Sequence, residues 1–216
     1  MLRDIDLSQI SDGNLYGEND MARINTAGCA GCHKCCTGMG DSIVLDPLDV
    51  HNLRLKTGMD FNTLMLKHYI TLSVKDYIAV PSINMLDGAC AFLDKDYRCS
   101  VHEKRPSFCR MFPLGRIYED GDYKYFNQVH ECTYGKKSKI KVKEFIGVSD
   151  INKYHEYILR YHDFLVNMRT KAKDYGEEKL KTLSLTILSE LFVKPYEEEN
   201  FYGQIYSRLY QIENMC

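Results

Sequence analysis

The chain has no long hydrophobic run, no tryptophan and little net charge, and these absences narrow the possible functions. No apolar segment is long enough to cross a bilayer, which takes about 20 consecutive apolar residues. The N-terminal residues 1–7 lack the apolar core of a signal peptide, so we expect a cytoplasmic protein. The net charge of −2 gives no overall attraction to nucleic acid or to an anionic membrane, and we expect neither as a partner.

Several catalytic motifs are also missing. The sequence contains no nucleophile elbow, no phosphate-binding loop and no zinc-protease helix. Asp, Glu and His residues are scattered without a shared motif, so no general acid or base can be assigned. Gly38-Met39-Gly40 begins like a dinucleotide fingerprint, but the third glycine and a preceding strand are lacking. The function must therefore rest on another feature.

That feature is cysteine, which occurs nine times. Four of these residues fall within one stretch of eight: Cys29, Cys32, Cys35 and Cys36. Two-residue spacers let a tight turn direct successive sulfur atoms to one point, as in zinc knuckles and ferredoxin loops. The side chains of neighbouring residues such as Cys35 and Cys36 point apart in most backbone conformations. We therefore expect these two to serve different metals or different corners of one cluster.

The other cysteines are spread out, with Cys216 at the end of the sequence and four in its middle: Cys90, Cys99, Cys109 and Cys132. In a cytoplasmic chain, a dense loop with further distributed cysteines indicates metal ligation rather than disulfides. Zinc and iron–sulfur clusters both accept all-thiolate sites. The first three thiols repeat the three-thiol run of bacterial ferredoxins, and the distal four lack the paired knuckles of a structural zinc. We therefore favour an iron–sulfur cluster of the 4Fe–4S type over zinc.

Charged and titratable neighbours of the cysteines could assist such a site. His33, His102 and His130 could each be a ligand, but eight thiols already saturate two four-ligand sites, so we expect these histidines around the ligands or at the surface. Arg105 and Arg110 could neutralise an anionic thiolate cluster or bind a carboxylate. The alternative for both arginines is a surface salt bridge.

The stretches between the cysteines predict short helices and strands. Asp46 is a suitable N-cap for a helix that begins at Pro47 and ends at Gly58, and Asp60 would cap the next helix. Residues 74–80 are rich in β-branched and aromatic side chains, which predicts a strand.

The region of the distal cysteines predicts two hairpins. The first, over residues 90–101, would bring Cys90 and Cys99 together. A short helix over 106–112 and a second hairpin over 114–129, with an Asp-Gly turn, would follow.

Lysine alternates with other residues shortly after the last of these hairpins, at Lys137, Lys139, Lys141 and Lys143. This pattern could form a basic patch for an acidic partner. The alternative, which we favour, is an edge strand whose lysines guard its open side.

The composition changes near residue 150, where apolar and aromatic residues begin to repeat at helical spacing. The whole sequence thus predicts an α+β fold: a small cysteine-rich metal-binding core of short hairpins and helices, then a C-terminal helical segment packed on it. The predicted boundaries are an N-terminal arm over 1–25, a cysteine-cluster domain over 26–144 and a helical region over 145–216. We expect the cluster near a cleft under the arm or the C-terminal helices.

Four segments, taken in order, resemble the YkgJ-type cysteine-cluster family, which is described as a zinc- or iron-chelating domain. They are the Cys29-x2-Cys32-x2-Cys35-Cys36 loop, residues 45–50, residues 90–93 and the run over 99–115. The resemblance covers about residues 28–135. It implies that all eight cysteines of the two groups, Cys29 to Cys132, belong to one metal cluster. The family includes flagellin lysine methylases, which carry an iron–sulfur cluster and use S-adenosylmethionine.

Three hypotheses follow. The leading one is a cytoplasmic metal-cluster protein, with an iron–sulfur cluster that supports an enzymatic modification or electron transfer and with a protein substrate or redox partner. The second is a zinc-stapled interaction module without catalysis. The third, by analogy with the family, is an S-adenosylmethionine-dependent protein lysine methyltransferase.

Overall fold

The computed structural model describes residues 7–26, 32–132 and 135–215, so Cys29 and Cys216 lie outside the described residues. Small antiparallel sheets and short helices are followed by long C-terminal helices, which confirms the predicted α+β class. The helices and strands of the described residues are, in chain order, α1 (Leu7–Ile10), β1 (Ser11–Tyr16), β2 (Met21–Asn25), α2 (Pro47–Thr57), α3 (Phe61–Leu66), β3 (Ile70–Lys75), β4 (Ile78–Ile83), β5 (Met85–Leu86), β6 (Ala89–Cys90), α4 (Ser107–Met111), β7 (Leu114–Glu119), β8 (Asp122–Gln128), β9 (Ser138–Lys141), α5 (Val142–Ile146), α6 (Ile151–Ala172), α7 (Glu177–Ile187) and α8 (Phe201–Met215). A π-helical segment, Leu188–Val193, continues α7.

Helix α2 begins and ends where its capping residues predict. The Asp46 side chain accepts a hydrogen bond from the Asp49 backbone N–H, and the Asp49 side chain accepts one from the Asp46 backbone N–H. These two bonds form a capping box. Gly58 ends the helix with a φ of 69°, a left-handed conformation that glycine adopts at little cost. Asp60 caps α3 as predicted, because its side chain accepts a hydrogen bond from the Thr63 backbone N–H.

The strand predicted over residues 74–80 is not continuous, because a hairpin turn divides that stretch between two strands. Strands β3 and β4 pair in register from Ile70↔Ile83 to Lys75↔Ile78. Asp76 and Tyr77 form the turn between them with φ values of 47° and 74°. Two successive positive φ values match the right-handed twist of the flanking strands, and here they occur without the glycine that usually signals such a turn.

The hairpin predicted over residues 90–101 forms only in part. Leu93 and Cys99 make a single antiparallel bridge, and the Ser100 N–H donates to the Phe92 carbonyl at 2.9 Å. Cys90 belongs instead to β6, which pairs with β5. The helix and hairpin predicted next are present as α4 and as the β7–β8 pair.

The N-terminal residues contribute strands to two sheets. Strand β1 pairs with β8 and completes the sheet order β1-β8-β7, while β2 pairs with β9 in a separate two-stranded ribbon. Ala22 and Ile24 of β2 are both fully buried. Strands β1 and β2, which lie in the polar stretch before the first cysteines, are thus part of the sheets, and β2 contributes to the hydrophobic core.

The predicted C-terminal helices are present and pack on the cysteine-rich part. Helix α6 buries a stripe of aromatic side chains that includes Tyr154, Tyr157 and Phe164. The Tyr157 hydroxyl accepts a hydrogen bond from the Leu48 N–H of α2 at 3.3 Å, which joins α6 to the first turn of that helix. Among the described residues, no helix is both long enough and apolar enough to span a membrane.

Candidate metal centre

All seven described cysteines line one cavity of about 630 Å³. They come from separate parts of the chain and are all half-buried with free thiols: Cys32, Cys35, Cys36, Cys90, Cys99, Cys109 and Cys132. Sequence analysis predicted this set together with Cys29, whose position lies outside the described residues. The structure therefore brings both cysteine groups to one place.

The backbone around the first group explains how it meets the second. Residues Lys34–Cys36 form a 3₁₀ turn, after which Thr37 makes an antiparallel bridge with Ala89. The Gly38 N–H also donates to the Gly88 carbonyl at 2.7 Å. These contacts hold the first loop against β6, the strand that carries Cys90.

The side chains of Cys35 and Cys36 do not point apart, contrary to expectation. Both face the cavity, and the Cys36 thiol donates a hydrogen bond to the sulfur of Cys35. Successive residues of a 3₁₀ turn are roughly 120° apart, whereas those of an extended strand point to opposite faces. The hydrogen bond lowers the pKa of Cys35 to about 7 and raises that of Cys36, whose proton it holds.

The distal cysteines lie in a less polar environment. Burial raises the pKa values of the Cys90, Cys99 and Cys109 thiols, and neighbouring thiols add to the effect. Two backbone groups oppose it, since the Phe92 N–H bonds the sulfur of Cys90 and the Val101 N–H bonds that of Cys99. Backbone N–H groups directed at cysteine sulfurs would stabilise these residues as thiolates.

The two arginines singled out from the sequence have different positions. Arg105 lines the cavity, and its charge favours the thiolate forms of Cys35 and Cys99. Its Nε is buried with no hydrogen-bond partner among the described residues. Arg110 instead donates to the backbone carbonyls of Glu103 and Ile146, at 3.0 and 3.3 Å. Of these two arginines, Arg105 is therefore the one whose side chain lines the cavity.

A buried polar network that the sequence did not indicate supports Cys109. Helix α4, which carries Cys109, begins at Ser107, whose N–H donates to Asp49 Oδ1 at 2.7 Å. The Ser107 hydroxyl shares its one proton between Asp49 Oδ1 at 2.8 Å and Asp46 Oδ2 at 3.0 Å. Burial raises the pKa values of both aspartates, and each of them also caps α2. The network thus fixes α4 against α2.

Apolar side chains close the rest of the cavity. The β2–β9 ribbon contributes Ile24 and Ile140, and α5 contributes Phe145. The prediction of a cleft under the N-terminal arm agrees with this placement of β2. Helices α6 to α8 contribute no described residue to the cavity wall.

The three histidines near the cysteines differ in position. His102 lines the cavity and His130 is exposed. The His33 ring stacks on Tyr97 with centroids 4.8 Å apart, and its Nδ1 is buried without a hydrogen-bond partner among the described residues. The stack joins the first cysteine loop to the turn between Cys90 and Cys99.

The positions of the possible metal ligands indicate which groups the cavity could hold. Among the described residues, no group of three His, Cys, Asp or Glu side chains is arranged to bind one metal ion. A tetrahedral zinc site requires four ligand atoms gathered around one point, with sulfur at about 2.3 Å and histidine nitrogen at about 2.0–2.1 Å. The thiolate donor set, with Arg105 beside it, is chemically suited to iron or zinc.

Comparison with known proteins gives one match. No curated protein and no solved structure matches the chain. A family model described as "Putative zinc- or iron-chelating domain" matches residues 28–141, which is more than half of the 216 residues and includes every cysteine that lines the cavity. The chain therefore belongs to the CxxCxxCC family of zinc- or iron-chelating domains.

Proposed function

We propose that this protein holds a polynuclear iron–sulfur cluster in the cysteine cavity and uses it in electron transfer or in an enzymatic modification. One observation carries the proposal: seven thiols from separate parts of the chain line one cavity of about 630 Å³, which is large for a single ion. The candidate ligands are these seven cysteines and Cys29, of which one 4Fe–4S cluster would take four.

The surroundings of the thiols support the preference for iron–sulfur over zinc. Hydrogen bonds to cysteine sulfurs and nearby charge tune the reduction potential of iron–sulfur clusters. Here backbone N–H groups bond the sulfurs of Cys90 and Cys99, and the Arg105 charge acts on Cys99 and Cys35. When bound, the cluster would supply one-electron chemistry, while the chain's own residues hold it, balance its charge and limit its contact with water.

Metal analysis of anaerobically purified protein tests the proposal. We expect iron and acid-labile sulfide, with broad visible absorption that dithionite bleaches. Cys36→Ser and Cys109→Ser should lose most of the iron, since each removes a thiol from the cavity wall. Cys216→Ser is the matched control, because this cysteine lies outside the family domain, and it should keep its iron. Stoichiometric zinc without iron or sulfide would overturn the proposal and favour the zinc-stapled interaction module.

Addition of S-adenosylmethionine to the loaded protein separates the two uses of the cluster. A change in the electron paramagnetic resonance spectrum of the reduced cluster would support a modification such as protein lysine methylation. An unchanged spectrum, together with reversible one-electron reduction, would support electron transfer.

A further inference from the structure

The β2–β9 ribbon has two faces with opposite character. Its strands pair in the register Met21↔Lys141, Ala22↔Ile140 and Arg23↔Lys139. Directly opposed residues lie on one face of an antiparallel pair, and the faces alternate along each strand. Ala22 and Ile140 therefore face inward, where Ile140 lines the cysteine cavity. The outer face carries the exposed cations Arg23, Lys139 and Lys141.

The charge on this outer face is unbalanced. No acidic residue occurs between Glu131 and Glu144, whereas five lysines do. The exposed cations Arg23, Lys136, Lys139 and Lys141 form what we call the basic ribbon face. None of them makes an ion pair with another described residue. The chain as a whole has a net charge of −2, so this concentration of positive charge is local.

One pair within the face argues against a purely structural origin. Arg23 and Lys139 are directly opposite each other, and like charges in that position destabilise a strand pair. The Arg23 guanidinium donates to the Lys137 carbonyl at 3.2 Å, which orients it across the ribbon, but protection of the strand edge by the lysines of β9 does not require a further cation opposite them. A local concentration of like charge over the candidate metal centre fits a binding surface.

We propose that the basic ribbon face is the docking surface for an acidic one-electron carrier protein that reduces the cluster in the cavity beneath it. The inference rests on the proposed function, since both uses of an iron–sulfur cluster require an electron supply. In this step the carrier is oxidised by one electron and the cluster is reduced by one, and no bond forms or breaks.

A protein partner fits this face better than a polyanion does. The basic ribbon face spans two short strands of five and four residues. Nucleic acid binding would need a longer basic track, and the negative charge of the remaining surface would oppose it. A compact acidic patch on a carrier matches the size of the face, and complementary charge would raise the rate of encounter.

Charge reversal on the full chain tests the proposal. The probe is a plant-type [2Fe–2S] ferredoxin, which is acidic, and the variant is Lys139→Glu combined with Lys141→Glu. Glutamate keeps the strand edge charged, so it preserves any protection against edge pairing while it removes the attraction. The control is Lys173→Glu combined with Lys181→Glu, which makes the same charge change at exposed positions outside the cavity wall. Thermal melting would confirm that both variants fold.

Two measurements decide the outcome. At low salt we expect the ribbon variant to bind the ferredoxin about tenfold more weakly and to be reduced by it correspondingly more slowly, while the control is unchanged. The difference should shrink in about 0.5 M salt, where exposed charges are screened. Equal behaviour of the two variants would overturn the docking proposal. Metal content is measured on the same samples. A protein without iron would refute the proposed function. The comparison of ferredoxin binding between the two variants would still show whether the basic ribbon face is a docking surface.

Discussion

Asp49 Oδ1 accepts hydrogen bonds from both the backbone N–H and the hydroxyl of Ser107, across 58 residues of sequence. Asp49 is also the residue that closes the capping box of α2, through a bond of 3.2 Å from the Asp46 N–H. One buried carboxylate thus serves the first turns of two helices, and one of them carries a cysteine of the cavity.

Asp49→Ala should therefore be strongly destabilising. The substitution leaves the Ser107 N–H and the Asp46 N–H without an acceptor, while the Ser107 hydroxyl keeps Asp46 Oδ2, and buried donors left unpaired cost about 1–3 kcal/mol each. We expect a loss of at least about 2 kcal/mol in the free energy of unfolding, measured by urea denaturation. Ser107→Ala, which removes only the hydroxyl, should cost about 1 kcal/mol. Equal losses would show that the N–H bond contributes little.

Metal removal should lower thermal stability directly. A cluster held by Cys32–Cys36 and by the cysteines between 90 and 132 would close long loops, so its binding energy would add to folding. We expect chelation, or Cys99→Ser, to lower the Tm by about 5 °C or more. Cys216→Ser, tested alongside, should melt like the unaltered protein. A melting temperature that chelation leaves unchanged would mean that metal does not join the two cysteine groups.

His51 should make stability depend on pH. Its ring is 5% exposed and stacks on Phe201 with centroids 5.3 Å apart. Burial lowers the pKa of His51 below its ordinary value of 6.5, so the unfolded chain binds the proton more tightly. The stability that the neutral ring supplies is complete above pH 6.5 and is lost as the pH falls through the lower folded pKa.

His51→Phe keeps an aromatic ring in the stack and removes the titrating group. Its free energy of unfolding should fall less between pH 7.5 and pH 5 than that of the unaltered protein. His68→Asn provides the comparison, because His68 is exposed at a φ of 58° that asparagine tolerates. If both variants keep the original pH profile, His51 is not responsible for the acid sensitivity.

Gly115 should not tolerate a side chain. It faces Phe126 across the β7–β8 pair, and a Cβ atom built on it would lie 2.3 Å from the Phe126 ring. Phe126 is itself buried, so the ring cannot move without disturbing the core. We expect Gly115→Ala to cost about 1–3 kcal/mol. Gly176→Ser, at the N-cap of α7 with open space around it, should be neutral or stabilising.

Features encoded by neighbouring residues could be predicted from the sequence. Helix α2 is one example, since its N-cap Asp46 and its terminal Gly58 act within a few residues of the helix itself. The turn at Asp76-Tyr77 is a counterexample. Such turns favour glycine, asparagine or aspartate, and Tyr77 at the second turn position gives no turn signal, so the β-branched and aromatic residues around it predict an unbroken strand.

At the candidate metal centre, too, only features encoded by individual residues or their neighbours could be predicted from the sequence. Spacing and composition identified the cysteines, because thiols are rare and chemically distinct. The walls of the cavity could not be predicted, since Ile24 and Phe145 are ordinary apolar residues whose location depends on strand pairing and helix packing. The Asp49–Ser107 contact was missed for a related reason, as hydrogen bonds between distant residues leave no periodic signal.

The β2–β9 ribbon shows that the segment matched by the family model does not contain the whole fold. The family match begins at residue 28, after the end of β2, yet Ile24 of that strand lines the cavity and β1 completes the sheet of β8. A fragment of residues 28–141 would lack both strands and also Tyr154 and Tyr157 of α6. The segment that matches the family is thus smaller than the unit that folds, and residues on both sides of it belong to the same cooperative structure.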